Sequence, residues 1–509
     1  VLFAHHFAAI AGAGPIVGPT LAMIYGFLPA LIWVVAGAIL LGGVHDMATL
    51  FISSREEGRS VADIARVYLG NGGYILIVSF LVIGLVMITA TFLNLSVTAL
   101  TSMYPATKVG MVPPTQEAIQ ASLALPADAM GLHPFAGGGG LPAVVGLRDG
   151  RPVLLARIGG IASTSVLFIT FCAPVLGFLI YRMRSPAWIN YSVAALLSVA
   201  SVVLGFHLPV IVSPDVWRFL MTLYVVLASA IPVWLLLMPR DFVNVQILYA
   251  GMIAVVVGLV VAAVGGRFPE IPAAPQNLAE TIPLWNLESG LQYVGVLWPM
   301  LLITVSCGAI SGFHCLVSSG TSARQLADER DALKVGYMGM LLESLLAVSV
   351  ILTLLIGLDW SSYQQISYGE KNPILAFALA TGSLVNLAFG LPVWSGTILG
   401  ILLLEGFVVT SLDVAVRLNR YLLEEVWRFI FKKPPAIVLN IWFNTGLCVA
   451  LMFALSRSNT LPVLWQVFGS ANQMMGAMAL LVAAVWLREH GRRSVFVLVP
   501  SILMLSLIH

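Results

Sequence analysis

The chain has 509 residues, 59% of them apolar and only 9% charged, with a mean hydropathy of +0.98 and a formal net charge of +2. Soluble domains carry roughly 25% charged residues, so this composition excludes a soluble enzyme, a nucleic-acid binder and a disordered scaffold. It requires many membrane spans with the lipid bilayer as partner, and the near-neutral balance offers no face for nucleic acid.

The chain begins at Val1, on the edge of an apolar stretch and without a signal-peptide pattern, so the N-terminus is expected to be incomplete. A hydrocarbon core of about 30 Å takes about 20 apolar helical residues. Thirteen runs answer to that length: 7–25, 27–53, 74–103, 154–181, 188–212, 217–238, 243–264, 294–318, 335–358, 384–412, 436–455, 461–487 and the short 495–508. They are continuous, not alternating over about ten residues as barrel strands are. The fold class is therefore an all-α polytopic membrane protein, one transmembrane domain over 1–509. Cys172, Cys307, Cys315 and Cys448 lie in apolar stretches with no CxxC pair and read as reduced core residues.

Alternating sides from the connection after the second span, 17 of the Lys and Arg residues fall on one side and 8 on the other. The positive-inside rule makes the richer side cytoplasmic, with loops 54–73, 182–187, 319–334, 413–435 and 488–494. Segments 104–153 and 265–293 are then long extracytoplasmic loops, lids or plain linkers; the first is rich in Pro and Gly up to Gly137–Gly140.

Two spans are unlike the rest. The first reads His5-His6-Phe-Ala-Ala-Ile-Ala-Gly12-Ala13-Gly14-Pro15-Ile-Val-Gly18-Pro19, and the eighth Thr304-Val-Ser306-Cys-Gly308-Ala309-Ile-Ser311-Gly312-Phe-His314-Cys-Leu-Val-Ser318. Pro15 removes an intrahelical bond and the glycines weaken the preceding turn. Broken helices at membrane depth occur where backbone lines a cavity or is buried in protein. A pair of them points to a secondary transporter's substrate site, with half-helix N-termini facing an anionic group. Gly12, Ala13, Gly14 and Pro15 with Gly308, Ala309, Ser311 and Gly312 form that expected site, and the charge count gives the two spans opposite directions, as an inverted repeat does. The competing reading of Gly14 and Gly18 is GxxxG packing with no ligand.

Ionisable residues within spans are costly and point to function. His5, His6, Asp46, His314 and Asp413 come from four spans at one depth, and His with carboxylate suits proton transfer. Pairing of Asp46 and Asp413 with edge arginines, Arg417 for Asp413, is the structural alternative. Thr410 and Ser411 offer oxygens that suit Na⁺ or plain helix–helix hydrogen bonds. Adjacent His5 and His6 point about 100° apart on a helix, so zinc would need one of them with Asp46 and His314. Glu343 and Glu405 are deeper carboxylates, Phe468–Gln473 interrupts the twelfth span with polar side chains, and the chain has no Walker A sequence.

At these residues the chain resembles the carbon starvation protein A (CstA) family. The runs are HHFAAIAGAGPIVGP (5–19), Asp46 with FISSREEGRS (51–60), VWLLLMPRD (233–241), CGAISGFHCLVSSGT (307–321), GYMGMLLE (336–343) and LWQVFGSANQ (464–473). The resemblance covers nearly the whole chain. It implies a LeuT-like bundle of the amino acid–polyamine–organocation superfamily, with inverted five-helix repeats and two discontinuous helices at Gly12–Pro15 and Gly308–Gly312; the spans 217–238 and 243–264 depart from it as extra helices with no place in a plain ten-helix repeat. It also implies inner-membrane uptake of peptides or pyruvate, typically driven by protons, with Thr410 and Ser411 near a coupling-ion position. The family usually has apolar sequence before the HHFAAIAGAGP run, and 358–384 is shorter here than in longer members. The expected function is thus secondary active import of a small carboxylate, short peptide or pyruvate, coupled through His6, Asp46 and His314 to H⁺. Na⁺ coupling, a passive channel and a membrane-embedded metalloenzyme are the rivals.

Overall fold

A computed structural model of the chain describes residues 2–506 apart from 112, 129, 137–140, 149, 233, 268–280 and 432. Helix starts follow local chemistry: the side chains of Ser60, Asn372 and Asn440 accept first-turn amides of Asp63, Leu375 and Trp442 at 3.1, 3.0 and 2.8 Å. The expected first span is two helices, α1 (Leu2–Ile10) and α2 (Gly14–Ala22). Next, α3 (Phe27–Gly37) and α4 (Gly43–Arg55) join through a π-helical turn at Ala38–Gly42, and α5 spans Val61–Leu100. Gly70 interrupts α5 at φ +72°, where a side chain would be strained, so residues 61–69 form a separate helical piece inside the expected loop 54–73.

The Pro- and Gly-rich segment read as a lid or linker holds structure of its own. Strands β1 (Tyr104–Pro105), β2 (His133–Pro134), β3 (Ala143–Arg148) and β4 (Arg151–Ala156) form an antiparallel sheet in the order β1-β4-β3-β2, with α6 (Gln116–Leu123) between β1 and β2 in the chain. The signal was the Asp149-Gly150 pair between two short apolar runs, a hairpin dipeptide. Arg157 ties this unit to the bundle through Asp128 at 2.6 Å. Burial favours the neutral Asp128 carboxyl, but the Leu132 amide and Arg157 outweigh it and hold Asp128 below the usual carboxylate range.

Helices α7 (Ile158–Tyr181), α8 (Ala187–His207), α9 (Pro214–Ala230) and α10 (Leu237–Val264) follow. Beyond α11 (Leu287–Tyr293), the expected eighth span is divided into α12 (Leu297–Thr304), α13 (Ser306–Ala309), α14 (Phe313–Val317) and a π-helical turn at Ser318–Ser322. The next helix, α15 (Met338–Gly357), leads through α16 (Trp360–Gln364) to α17 (Pro373–Phe389), and α18 covers Val393–Ile430. The chain ends with α19 (Ile441–Ser458), α20 (Leu461–Glu489) and α21 (Val495–Leu505). Among the described residues nine helices are long and apolar enough to cross a membrane, so the protein is a multi-pass membrane protein.

One expected span is corrected. The run 384–412 is not a single helix: α17 ends at Gly390, whose φ of +69° stops it, and α18 starts after Pro392. The interruption Gly390-Leu391-Pro392 is too short and apolar to register in a hydropathy window. Before α17, Asn372 donates to Ser102 Oγ just past α5; near its end, Leu387 O accepts from Arg267 just past α10. Helices α5 and α10 end on the same face, so α17 enters and leaves on that face without crossing. The alternation of the other helices therefore survives, and Phe206 near the end of α8 meets Trp394 at the start of α18, 5.5 Å between rings. Glycine permits the close α17–α18 contact: a Cβ on Gly396 would lie 2.8 Å from Gly382 Cα, and one on Gly400 2.8 Å from Ala378 Cα.

Candidate functional site

The two broken helices cross. In the first, α1 stops at Ile10, the Gly12 amide bonds back to Ile10 O at 2.7 Å, and α2 restarts with Pro15 in its first turn, where a missing N–H costs nothing. In the second, Ile310 is extended (φ −163°, ψ 138°) between α13 and α14. A Cβ on Gly14 would lie 1.9 Å from Cys307 Cβ, and one on Gly308 would lie 3.4 Å from Pro19 Cγ and 3.5 Å from Pro15 Cα. A Cβ on Gly18 would meet Thr304 O at 2.9 Å. Gly14 and Gly18 thus serve close packing of α2 on α12 and α13, and the unwound residues are Ala11, Gly12 and Ala13. Tyr363 and Tyr368 hold the far end of α2 by donating to Thr20 O and Leu21 O at 2.7 and 2.5 Å. Gly14→Ala is expected to overpack this crossing and cost about 1–3 kcal/mol. Thermal unfolding in detergent should show a lowered midpoint that Cys307→Gly restores; no recovery in the double variant would mean the contact is not what limits the site.

The breaks differ in what faces them. Gly12 looks at Ser411 of α18: a Cβ there would be 2.9 Å from Ser411 Oγ, a buried hydroxyl without a hydrogen-bond partner among the described residues. The second break is filled by Asn472 of α20, whose Oδ1 accepts from the Phe313 amide at 2.9 Å and the Ser311 hydroxyl at 3.2 Å. A Cβ on Gly312 would meet Asn472 O at 2.2 Å and Gly476 N at 2.4 Å. In this conformation the start of the half-helix after Gly312 is capped by a side chain, because glycines on both helices bring α20 into contact. Gly308, Ala309 and Gly312 are packing positions in this conformation, and Ser311 is a partner of Asn472. The polar run of α20 thus binds the broken helix; Gln473 Nε2 donates to Leu302 O at 3.2 Å and Trp465 Nε1 to Thr304 O at 3.1 Å.

Beside the crossing lies a buried chain of four ionisable groups. Asp46 Oδ1 is 2.7 Å from His45 Nδ1 and its Oδ2 2.7 Å from His314 Nδ1, while His314 Nε2 is 3.3 Å from Glu343 Oε2. All four side chains are fully buried. With Asp46 ionised, both Nδ1 atoms donate to it, which leaves His314 Nε2 and Glu343 to share a proton. His6 Nδ1 meets Ser322 Oγ at 2.7 Å and its ring lies over Gly339, one helical turn from Glu343. Asp46 and His314 therefore meet as expected, and His6 adjoins them. His45 went unread beside Asp46, and Glu343 had no positional signal in one sequence. The His5 side chain lies outside the described residues; among the described ones no three His, Cys, Asp or Glu side chains converge to hold a metal ion.

A second cluster surrounds Arg240. Asp413 Oδ2 accepts from Arg240 Nη1 at 2.6 Å and from Tyr224 OH at 2.7 Å, and Arg240 also contacts Tyr224 OH. Arg240 Nη2 reaches Asp241 Oδ1 at 3.0 Å and Thr410 Oγ1 at 3.3 Å, and Thr410 donates to Asp241 at 2.9 Å. Arg417 is not the partner of Asp413; it donates to Ala228 O and Ile231 O at 2.9 and 3.1 Å. Thr410 and Ser411 are thereby parted: neighbours on a helix point about 100° apart, so one joins Arg240 and the other faces Gly12.

The family model described as carbon starvation protein CstA matches residues 1–369 and 359–508. The chain is 30% identical over 557 residues to the peptide transporter CstA of Escherichia coli (strain K12), covering 97% of this chain and 70% of that protein. It is 29% identical to the pyruvate/proton symporter BtsT of the same organism, over 97% of this chain and 70% of that one. A peptide transporter CstA of Bacillus subtilis (strain 168) is 28% identical over 95% of this chain and 76% of its own length.

Proposed function

This chain belongs to the carbon starvation protein CstA family, and we propose that it is a secondary active transporter. It imports a small carboxylate-bearing nutrient, a short peptide or pyruvate, by alternating access coupled to protons. The observation that carries this reading is the buried Glu343–His314–Asp46–His45 chain set against two crossing broken helices. His314 sits on the second broken helix itself, so a proton gained or lost between His314 and Glu343 alters the charge on a helix that must move. The substrate carboxylate docks at the Ala11–Ala13 break, where the start of α2 supplies a positive dipole end and the unpartnered Ser411 hydroxyl a donor. The names of the relatives, one a peptide transporter and one a pyruvate/proton symporter, support both substrate classes and H⁺ as the coupling ion. The opposite directions of the two broken helices support a LeuT-like inverted repeat, and the charge bias supports a cytoplasmic Lys- and Arg-rich face in an inner membrane. Ser411 at the first break also favours a second reading, Na⁺ held by that hydroxyl and the freed carbonyls.

Proteoliposomes given labelled pyruvate or a labelled dipeptide, with an inward pH gradient, a Na⁺ gradient or neither, test this directly. Accumulation above equilibrium is expected with the pH gradient alone. Accumulation only with Na⁺ would transfer coupling to the Ser411 break, and equilibration independent of any gradient would make the protein a facilitator.

A further inference from the structure

Glu405, on α18, is fully buried, and neither of its carboxylate oxygens has a well-formed hydrogen bond among the described residues. It belongs to neither of the charged chains already described. The polar groups that act on it are the Ser96 hydroxyl of α5 and the Arg240 guanidinium of α10. Arg240 is already engaged by Asp413 on α18, by Asp241 on α10 and by Tyr224 of α9. The other helices packed on α18 bring little charge: α7 and α17 contain no Asp, Glu, Lys, Arg or His, α19 contains Arg457 near its end, and α1 contains His5 and His6, with His6 Nδ1 held by Ser322. Asp63 and Arg66 of α5 lie at the opposite end of that helix and pair with each other at 3.2 Å.

A carboxylate anion buried with no well-formed hydrogen bond, near a guanidinium that other carboxylates already engage, is too costly to keep; such a group takes up a proton instead. A protonated acid with no well-formed hydrogen bond adds little to stability, and ionisable residues of this kind inside spans mark ion pathways. Resting on the proton-coupled reading above, we propose that Glu405 is a proton-binding site of the transport cycle, distinct from the His314–Glu343 pair and loaded with its proton in this conformation. Loading is simple protonation of the carboxylate, and release returns the same proton to water. Release follows when α18 shifts against α10: separation of Arg240 from Asp413 or Asp241 frees the guanidinium to face an ionised Glu405.

Infrared difference spectra of the full-length protein in lipid, recorded across a pH change without substrate, read protonated carboxyls directly. Glu405→Gln is expected to remove one protonated-carboxyl band, and Glu343→Gln to remove a different one. In proteoliposomes with labelled pyruvate or dipeptide, Glu405→Gln should lower the coupling ratio by one proton per substrate. Glu405→Asp, which keeps an acid one methylene shorter, should retain the band at a shifted position and move the pH midpoint of uptake by about one unit. A full set of bands in Glu405→Gln, or an unaltered coupling ratio, would overturn the assignment.

Discussion

Asp46→Asn is expected to reduce pH-gradient-driven accumulation by roughly 10²-fold, the lower range for loss of a positioned proton carrier. The carboxylate accepts from two imidazoles, at 2.7 Å each, and fixes both tautomers. Asparagine keeps the volume but offers one acceptor oxygen and one NH₂, so one ring must turn or lose its bond. His314→Ala should be at least as damaging, because it leaves Glu343 and Asp46 as two buried carboxylates with no group between them. Exchange of labelled for unlabelled substrate at equal pH, which needs no net proton movement, should suffer far less than accumulation. Equal loss of both processes in stable variants would remove the proton role and leave these residues as packing.

The second large effect concerns stability. Arg240→Met should destabilise the protein by about 3–5 kcal/mol, the usual consequence of stranding one member of a buried ion pair. Asp413, fully buried, would lose its guanidinium and keep only the Tyr224 hydroxyl. Adding Asp413→Leu should recover much of that loss, since an apolar pair of similar volume carries no desolvation penalty. The check is thermal unfolding in detergent of both single variants and the double. Additive losses would show that Arg240 acts through other partners, Asp241 and Thr410 among them.

The sequence disclosed the helices and breaks more fully than the contacts between them. Composition and run length identified a helical bundle because lipid leaves few alternatives for a chain this apolar. Pro15 and the glycines around it marked the first break since their effect is local. Asp46 and His314 stood out as ionisable groups at membrane depth, and that scarcity made their meeting readable. Glu343 and Glu405 stood out equally, but which carboxylate joins the histidines depends on helix rotation, which one sequence does not encode visibly. Arg240 was hidden inside a run that looked like an ordinary charged helix end. The plugging of the second break by Asn472 was unreadable for a related reason: it needs Gly312 and Gly476, 164 positions apart in the chain, to face each other. The segment 384–412 misled because hydropathy averages across the turn at Gly390 that separates two helices.

Helix α17 also bears on how the protein is made. As the ribosome delivers Pro373–Phe389, the insertion machinery receives an apolar helix that looks like a short span, with α18 following after three residues. If α17 were threaded across, every later segment would enter with inverted polarity, and Asp413 would be carried away from Arg240. The glycine seam between α17 and α18 works against this, because it lets the two helices pack closely as a hairpin. The orientation of α18 and everything after it is thus tied to Gly382, Gly396 and Gly400, residues outside both buried charge clusters.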